Sequence, residues 1–302
     1  MSKKKTSAFV PKVLELFGRS TAVASEDWRA VIRECECPYL GRKCVKGRKS
    51  LPDVLLGTCT VSQGARDRSP VIICPHRLLE RTQIFLDCIH LLTLHQPGNE
   101  LHMLPQVEVP GGDVDYVLAS VSDGKVKDFA GIELQTLDTT GSVWSDRQAF
   151  LHSRGVPIAP GDLAGDGYGM NWKMSAKTIL MQLHHKIGTF EHLSKRLVLV
   201  LQESFLSYIR KEFSADKVVT ARLGDSMHFH AYELARHEDE VRLRLGSRWS
   251  TDAAGVAHLL GSHASSRVEL EAIIARLEGK LSERTRMTFD RMVPALVAPP
   301  AS

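Results

Sequence analysis

Residues 108–141 read EVPGGDVDYVLASVSDGKVKDFAGIELQTLDTTG, and the fold turns on how this stretch is read. Two apolar runs, Tyr116 to Val121 and Phe129 to Leu137, flank Ser122-Asp123-Gly124, so the stretch predicts a β-hairpin. In the second run Glu133 and Gln135 have one parity and Ile132 and Leu134 the other. A strand alternates its side chains, so the aliphatic pair faces a core and the polar pair shares the opposite face. Asp115 opens the first run and falls within pairing distance of Glu133. Two carboxylates so placed suit a hard divalent cation, which prefers oxygen ligands. Asp113 is the alternative to Asp115, and Gly111-Gly112 before it permits an unusual turn or a close backbone approach. Gln106 to Val109 is expected as a short strand delivering Glu108, a third candidate carboxylate, with Asn99 to Pro105 a connector.

Five of the six cysteines lie upstream, between Cys35 and Cys74, in a loop-rich segment with little apolar material of its own. Something else must order it, and four thiolates on one metal would do so. Cys37, Cys44, Cys59 and Cys74 are the candidate ligands, with Cys35 as substitute; their spacing does not separate iron from zinc. Cys88 stands apart, beside Phe85, Ile89 and Leu92 in an expected helix over Leu78–Leu94, where it reads as a small buried hydrophobe. The cluster Arg42, Lys43, Lys46, Arg48 and Lys49 is the densest positive charge in the chain, suited to sequence-independent contact with phosphates.

Taken in order, CPYLGRKCVKG, GTCTV, VIICPHRL, VDYVLAS and GIELQTLDTTG resemble the NotI family of type II restriction endonucleases, over about Cys35 to Leu201. The resemblance implies a PD-(D/E)xK nuclease core, an α/β fold on a mixed sheet, carrying a four-cysteine iron site. It implies Mg²⁺ on Asp115 and Glu133, with Gln135 at the usual lysine position and Glu108 as a supplementary carboxylate. It further implies 5′-phosphate and 3′-hydroxyl products, a GC-rich palindromic target in double-stranded DNA, a homodimer, and a cognate DNA methyltransferase in the same system. Gln135 is the departure from the lysine form. An amide orients a water but takes no proton at neutral pH, which leaves the base to an activated water, a substrate phosphate or Glu108.

Around this centre the chain divides into an N-terminal helical arm (1–34), the cysteine module (35–77) and the core with its DNA-recognition loops and C-terminal extension (78–302). Residues 1–8 read as a basic arm, and Val10–Phe17 and Trp28–Glu34 as short helices, the latter stopped before Pro38. Gly155–Gly169 reads as a long loop able to read bases. Asn171–Leu193 is a helix with Lys173, Lys177, His184 and Lys186 on its polar side, and Arg196–Gln202 a buried strand. Met227–Leu234 alternates as a strand, its His228 and His230 expected at a polar surface or a DNA contact. Val268–Leu281 reads as a charged amphipathic helix suited to a dimer contact, and Ala298–Ser302 as a frayed end.

With 302 residues and 43% hydrophobic content the chain can bury a large core. A net charge of +4 permits polyanion binding without demanding it. Neither a run of about 18 apolar residues nor a signal-peptide pattern is present, which predicts a prokaryotic cytoplasmic protein with reduced thiols. Two other duties fit the same residues. One is a PD-(D/E)xK nuclease of repair or mobile-element processing, and the other a non-catalytic, metal-stabilised DNA-binding protein.

Overall fold

The Asp123-Gly124 turn has φ of +52° and +69°, the paired left-handed conformation whose twist matches that of the strands it joins. It closes a hairpin at the centre of the computed structural model, which describes residues 12–48, 51–64, 69–237 and 240–261, with 274 and 278 beyond them. Met1–Leu260 form one compact unit and Gly261–Ser302 a second. The basic arm, Lys49, the expected helix over 268–281 and the last residues lie outside the described residues, 274 and 278 excepted.

The chain begins with β1 (Val13–Leu16), β2 (Arg19–Ser20) and α1 (Trp28–Glu34). Four short strands follow as two ladders, β3 (Glu36–Cys37) with β4 (Arg42–Lys43) and β5 (Gly47–Arg48) with β6 (Leu51–Leu55). Next come β7 (Thr58–Gln63) and β8 (Ser69–Ile72), which complete a four-stranded sheet of order β2-β1-β7-β8. A strand, not the expected helix, therefore occupies Val13–Leu16. Pairing with β7 and burial of three of its four residues override a weak helical pattern. Strands β7 and β8 also make the cysteine segment more regular than loop-rich. Helix α1 forms as expected, capped by Asp27, but Cys35 ends it in a left-handed conformation (φ 54°) before Pro38 is reached.

The expected helix over Leu78–Leu94 is instead a series of short turns around α2 (Gln83–Leu86). Positive φ at Arg81 and Thr82 breaks it. The cause lies beside the break: Arg77, fully buried, is bound by Glu15 at 2.9 Å and Glu80 at 2.9 Å, and donates to the Val241 carbonyl at 2.8 Å. A buried guanidinium needs those acceptors, and the chain bends to supply them. Cys88 is buried as expected.

The main sheet begins with β9 (Glu100–Val109), β10 (Gly112–Ser122) and β11 (Lys125–Leu134). Strand β9 is longer than expected, because residues 100–105 pair along the outer edge of β10 where a connector was predicted. Pro105 is tolerated there since an edge strand leaves one side without ladder bonds. Then come β12 (Thr139–Gly141), α3 (Trp144–Ser153), β13 (Tyr168–Met170), which pairs with β12, α4 (Trp172–His192) and β14 (Arg196–Gln202). The strand β11, helix α4 and parallel strand β14 form the expected crossover. Helix α5 (Glu203–Glu212), β15 (Val219–Thr220), β16 (Met227–His237), β17 (Glu240–Thr251) and α6 (Ala253–Leu259) complete a sheet of order β15-β17-β16-β14-β11-β10-β9. It is a mixed sheet in an α/β chain, parallel at its centre and antiparallel toward both edges.

Strand β14 is buried on both faces: Leu197, Leu199 and Leu201 look toward α4, and Val198 and Val200 toward the turns around Leu78–Leu92. Ile179, Leu180, Leu183, Ile187 and Phe190 of α4 are each 2% exposed or less. At about 2 kcal/mol per buried side chain, that stripe contributes roughly 10 kcal/mol, well beyond the helix's own propensity. No helix among the described residues is long and apolar enough to cross a membrane.

His228 and His230 were expected at a polar surface, but both are buried on the face opposite α4, at 1% and 0% exposure. The turns after α2 cover that face: Cys88 Sγ lies 3.6 Å from His230 Nδ1, and the His90 ring stacks on His230 with centroids 6.0 Å apart. Burial, reinforced by neighbouring histidines and arginines, holds His228 down to about 4 and His230 to about 3. The unfolded chain thus takes up protons first, near 6.5. Their contribution is complete above that pH and is lost as pH falls toward 4, by up to about 1.4 kcal/mol per pH unit for each ring. In thermal melts from pH 7 to 4.5 the wild-type midpoint should fall steeply, and His230→Leu should flatten the slope.

Candidate active site

The β10–β11 register pairs Tyr116 with Ile132, so the next step toward the open end brings Asp115 opposite Glu133. The Leu134 amide donates to Asp115 Oδ2 at 2.9 Å, and the Gln106 side chain to Oδ1 at 3.4 Å. Asp115 is half-buried; Glu133 is 4% exposed, because β11 has strands on both sides and α4 across its face. Burial raises the Glu133 carboxyl to about 7, Lys186 acting against the rise and Asp115 adding to it.

Lys186 is the residue that sequence reasoning turned the wrong way. It was expected on the outer side of the Asn171–Leu193 helix, yet it is 6% exposed and its Nζ donates to Glu133 Oε1 at 2.6 Å and to the Asp113 carbonyl. The signal was present: Lys186 stands three residues after Leu183 and seven after Ile179, on the buried stripe. Gly111 makes this possible. Its φ is +100°, and a Cβ there would come within 2.3 Å of the His185 carbonyl oxygen, so only glycine lets the β9–β10 turn lie against α4.

The other expected residues are placed as follows. Gln135 lies just past the end of β11, which stops at Leu134; its amide nitrogen donates to the Val200 carbonyl and its side chain to the Thr136 carbonyl at 2.6 Å. The side-chain NH₂ thus serves its own backbone instead of either carboxylate. Glu108 is exposed on edge strand β9, paired in register with Asp113, which makes it a neighbour of the Asp115 row without a bond to it. Asp138 ties the segment after Gln135 to the start of α4: its carbonyl accepts from the Asn171 amide at 2.9 Å, and Oδ2 from Ser175 Oγ at 3.2 Å.

Cys37, Cys44, Cys59 and Cys74 line one cavity of about 10 Å³, together with Phe17, Lys46 and His76. Cys35 is not in that lining; its thiol is bonded to the Ile32 carbonyl at 2.8 Å. The Cys59 thiol donates to the Gly57 carbonyl at 3.4 Å, and the mutual influence of the two sulfurs pushes Cys59 well above the usual thiol range and, with Lys46 nearby, holds Cys74 down to about 6. His76 Nδ1 is buried without a partner. Among the described residues no group of three or more His, Cys, Asp or Glu side chains stands in metal-holding geometry.

Of the basic cluster, Arg42 and Lys43 are exposed on β4. Lys46 donates to the Ile73 carbonyl at 2.8 Å, and the Arg48 guanidinium stacks 4.4 Å from the Trp144 ring. Lys46 and Arg48 share a cleft of about 630 Å³ with Asp138, Thr139 and Ser142, which places basic groups beside the exit of β11. The expected loop over 155–169 leads into β13, whose pairing with β12 borders this exit. No protein-family model matches the chain, and no curated protein matches it.

The close approach at Gly111 can be tested against Gly124, which also has positive φ but open space where a Cβ would go. Gly124, at φ +69°, lies in the left-handed region, where alanine costs about 1 kcal/mol, whereas Gly111, at φ +100°, lies beyond it and adds a backbone clash. Gly111→Ala should therefore lose at least about 2 kcal/mol more than Gly124→Ala in urea unfolding.

Proposed function

We propose that the chain is a type II restriction endonuclease making Mg²⁺-dependent, sequence-specific double-strand cuts in DNA, a relative of the NotI family with the PD-(D/E)xK core in its Glu-x-Gln form. The observation that carries this reading is the pair Asp115 and Glu133 facing each other at the open end of a hairpin, beside a parallel crossover. The pair already accepts a cation, the Lys186 ammonium, against Glu133, so its donors fit one. Two carboxylates plus a substrate phosphate suit Mg²⁺, which keeps several of its waters. When bound, Mg²⁺ supplies charge to offset what builds on the phosphoryl oxygens and lowers the pKa of water.

The protein groups have separate tasks. The Leu134 amide fixes Oδ2 of Asp115, and Oδ1 accepts the longer bond from Gln106 at 3.4 Å, the one a cation would displace. Glu133 is held in a poorly hydrated position, where its charge acts more strongly than it would in water. Gln135, once released from the Thr136 carbonyl, orients water there without accepting its proton. Glu108 supplements the carboxylates from β9. The cleft beside Lys46 and Arg48 gives sequence-independent affinity for the DNA backbone. The products carry 5′-phosphate and 3′-hydroxyl ends, the target is a GC-rich palindrome, and a homodimer supplies the two active sites that symmetric cleavage needs. A methyltransferase of matching specificity protects the host.

The four cysteines fit a structural iron or zinc ion, since soft sulfurs that share one small cavity match what such ions prefer. The purified protein should contain about one iron or zinc per chain by elemental analysis. Cys59→Ser and Cys74→Ser should lose it, and Cys88→Ala, outside the cavity, should retain it.

Incubation with fully sequenced, unmethylated phage DNA tests the catalytic reading. Discrete fragments sharing one palindrome at their ends should appear with Mg²⁺ and vanish with EDTA. Glu133→Ala should abolish cleavage, whereas Gln135→Ala should slow it by about 10- to 100-fold; equal residual rates would contradict the division of roles.

A further inference from the structure

We infer that Lys186, reaching the site from α4, is a positioning residue that supplies the positive charge missing from position 135. The inference rests on the nuclease reading of Asp115 and Glu133 and adds a residue to it. Its basis is geometric. The Lys186 stem passes beside the Gly111-Gly112 turn, with Cε 3.4 Å from where a Gly112 Cβ would lie, and its Nζ ends 2.6 Å from Glu133 Oε1. An ammonium has three N–H donors. Glu133 and the Asp113 carbonyl take two, and the third has no acceptor among the described residues.

A core has no need of such a pair. Burying an ammonium and a carboxylate costs desolvation that apolar residues of similar size would avoid. The site is also not sealed, since Asp113 is exposed and Asp115 half-buried at its mouth. A charge held there with one free donor is set to meet an anion arriving from solvent, and a phosphate oxygen is the anion this site would receive. Gln135 cannot do the same, because its amide is uncharged and is bonded to Thr136. Lys186 acts through Glu133 and toward the phosphate, from a helix held at its first turn by Asp138 and at Lys186 by Gly111.

The test uses the full chain and DNA carrying its mapped site. Lys186→Met should slow single-turnover cleavage at least about 100-fold. Its Kd for DNA in Ca²⁺ should change less than about tenfold, and calorimetry at pH 8 should still detect Ca²⁺ binding without DNA. Adding Gln135→Lys to Lys186→Met should recover about tenfold or more of the lost rate, because the charge then returns from the strand. If Lys186→Met melts below the assay temperature, Lys186→Gln, which retains a donor for Glu133, takes its place with the same expectations. An unchanged rate in the single variant overturns the inference and leaves the nuclease reading intact. Loss of rate together with Ca²⁺ binding, without rescue by Gln135→Lys, overturns it in favour of a purely structural ion pair. A wild-type protein that neither cuts DNA nor binds Ca²⁺ removes both.

Discussion

Strand β11 is hydrogen-bonded on both edges, to β10 and to β14, and packed on both faces, and most of what is distinctive here follows from that enclosure. A strand so placed tolerates few polar side chains, since each must find a partner or stay neutral. Asp128 and Glu133 are its buried acids, and each is met by a lysine: Lys195 at 2.6 Å and Lys186 at 2.6 Å. The two pairs differ in consequence. Asp128 also accepts from two backbone amides, of Leu94 and Phe129, and its carboxyl is held below the ordinary range despite burial. Glu133 has the lysine but no backbone amide among the described residues, and burial, with Asp115 facing it adding to the rise, lifts its carboxyl to about 7. One acid is satisfied as structure, whereas the other is not fully offset by its partner, and a carboxyl so perturbed marks a candidate site.

That difference explains what was legible. The hairpin, its turn, the Asp115–Glu133 opposition, the helix over 172–192 and the buried strand over 196–202 all rest on local period and turn chemistry, which sequence carries directly. The edge strand over 100–105, the strand at Val13–Leu16 and the breaks after Arg77 depend on partners far along the chain. Lys186 sits between these cases. Period alone puts it on the buried stripe of α4, but charge argues for solvent, and only the presence of Glu133 across the interface decides the matter. His228 and His230 are the same problem without a counter-ion: two titratable rings on the face that Cys88 and His90 cover from far along the chain.

The cysteine-bearing segment is mechanically joined to the strands around Glu133. Gln202, the last residue of β14, accepts from the Ile72 amide at 3.0 Å and donates to the Pro70 carbonyl at 2.6 Å, so β8 hangs from the end of the strand that flanks β11. Two residues on from Ile72, Cys74 enters the shared cavity; Cys59 reaches it from β7, whose Thr60 is bonded to Glu15, the acid that holds Arg77. Order therefore passes from the cavity into the main sheet through buried polar contacts, which have few alternative arrangements.

This wiring bears on what a structural metal, as proposed for the four cysteines, would contribute without taking part in chemistry. The small sheet has a modest core of its own, in which Trp28 and Phe150 meet edge-to-face with centroids 4.9 Å apart, and Phe150 belongs to α3, outside the segment. Arg147 of α3 also donates to the Leu56 carbonyl at 2.7 Å, and Arg48 stacks on Trp144, so this helix clamps the segment from its far side. Helix α3 starts three residues after β12, at the exit of β11. An ion drawing four sulfurs together would stiffen β7, β8 and the ladders bearing Arg42, Lys46 and Arg48, and through Gln202 and α3 it would fix them relative to Glu133. Its value would lie in registry: basic groups that contact a DNA backbone help cleavage only if they stand at a constant distance from the carboxylates that act on it.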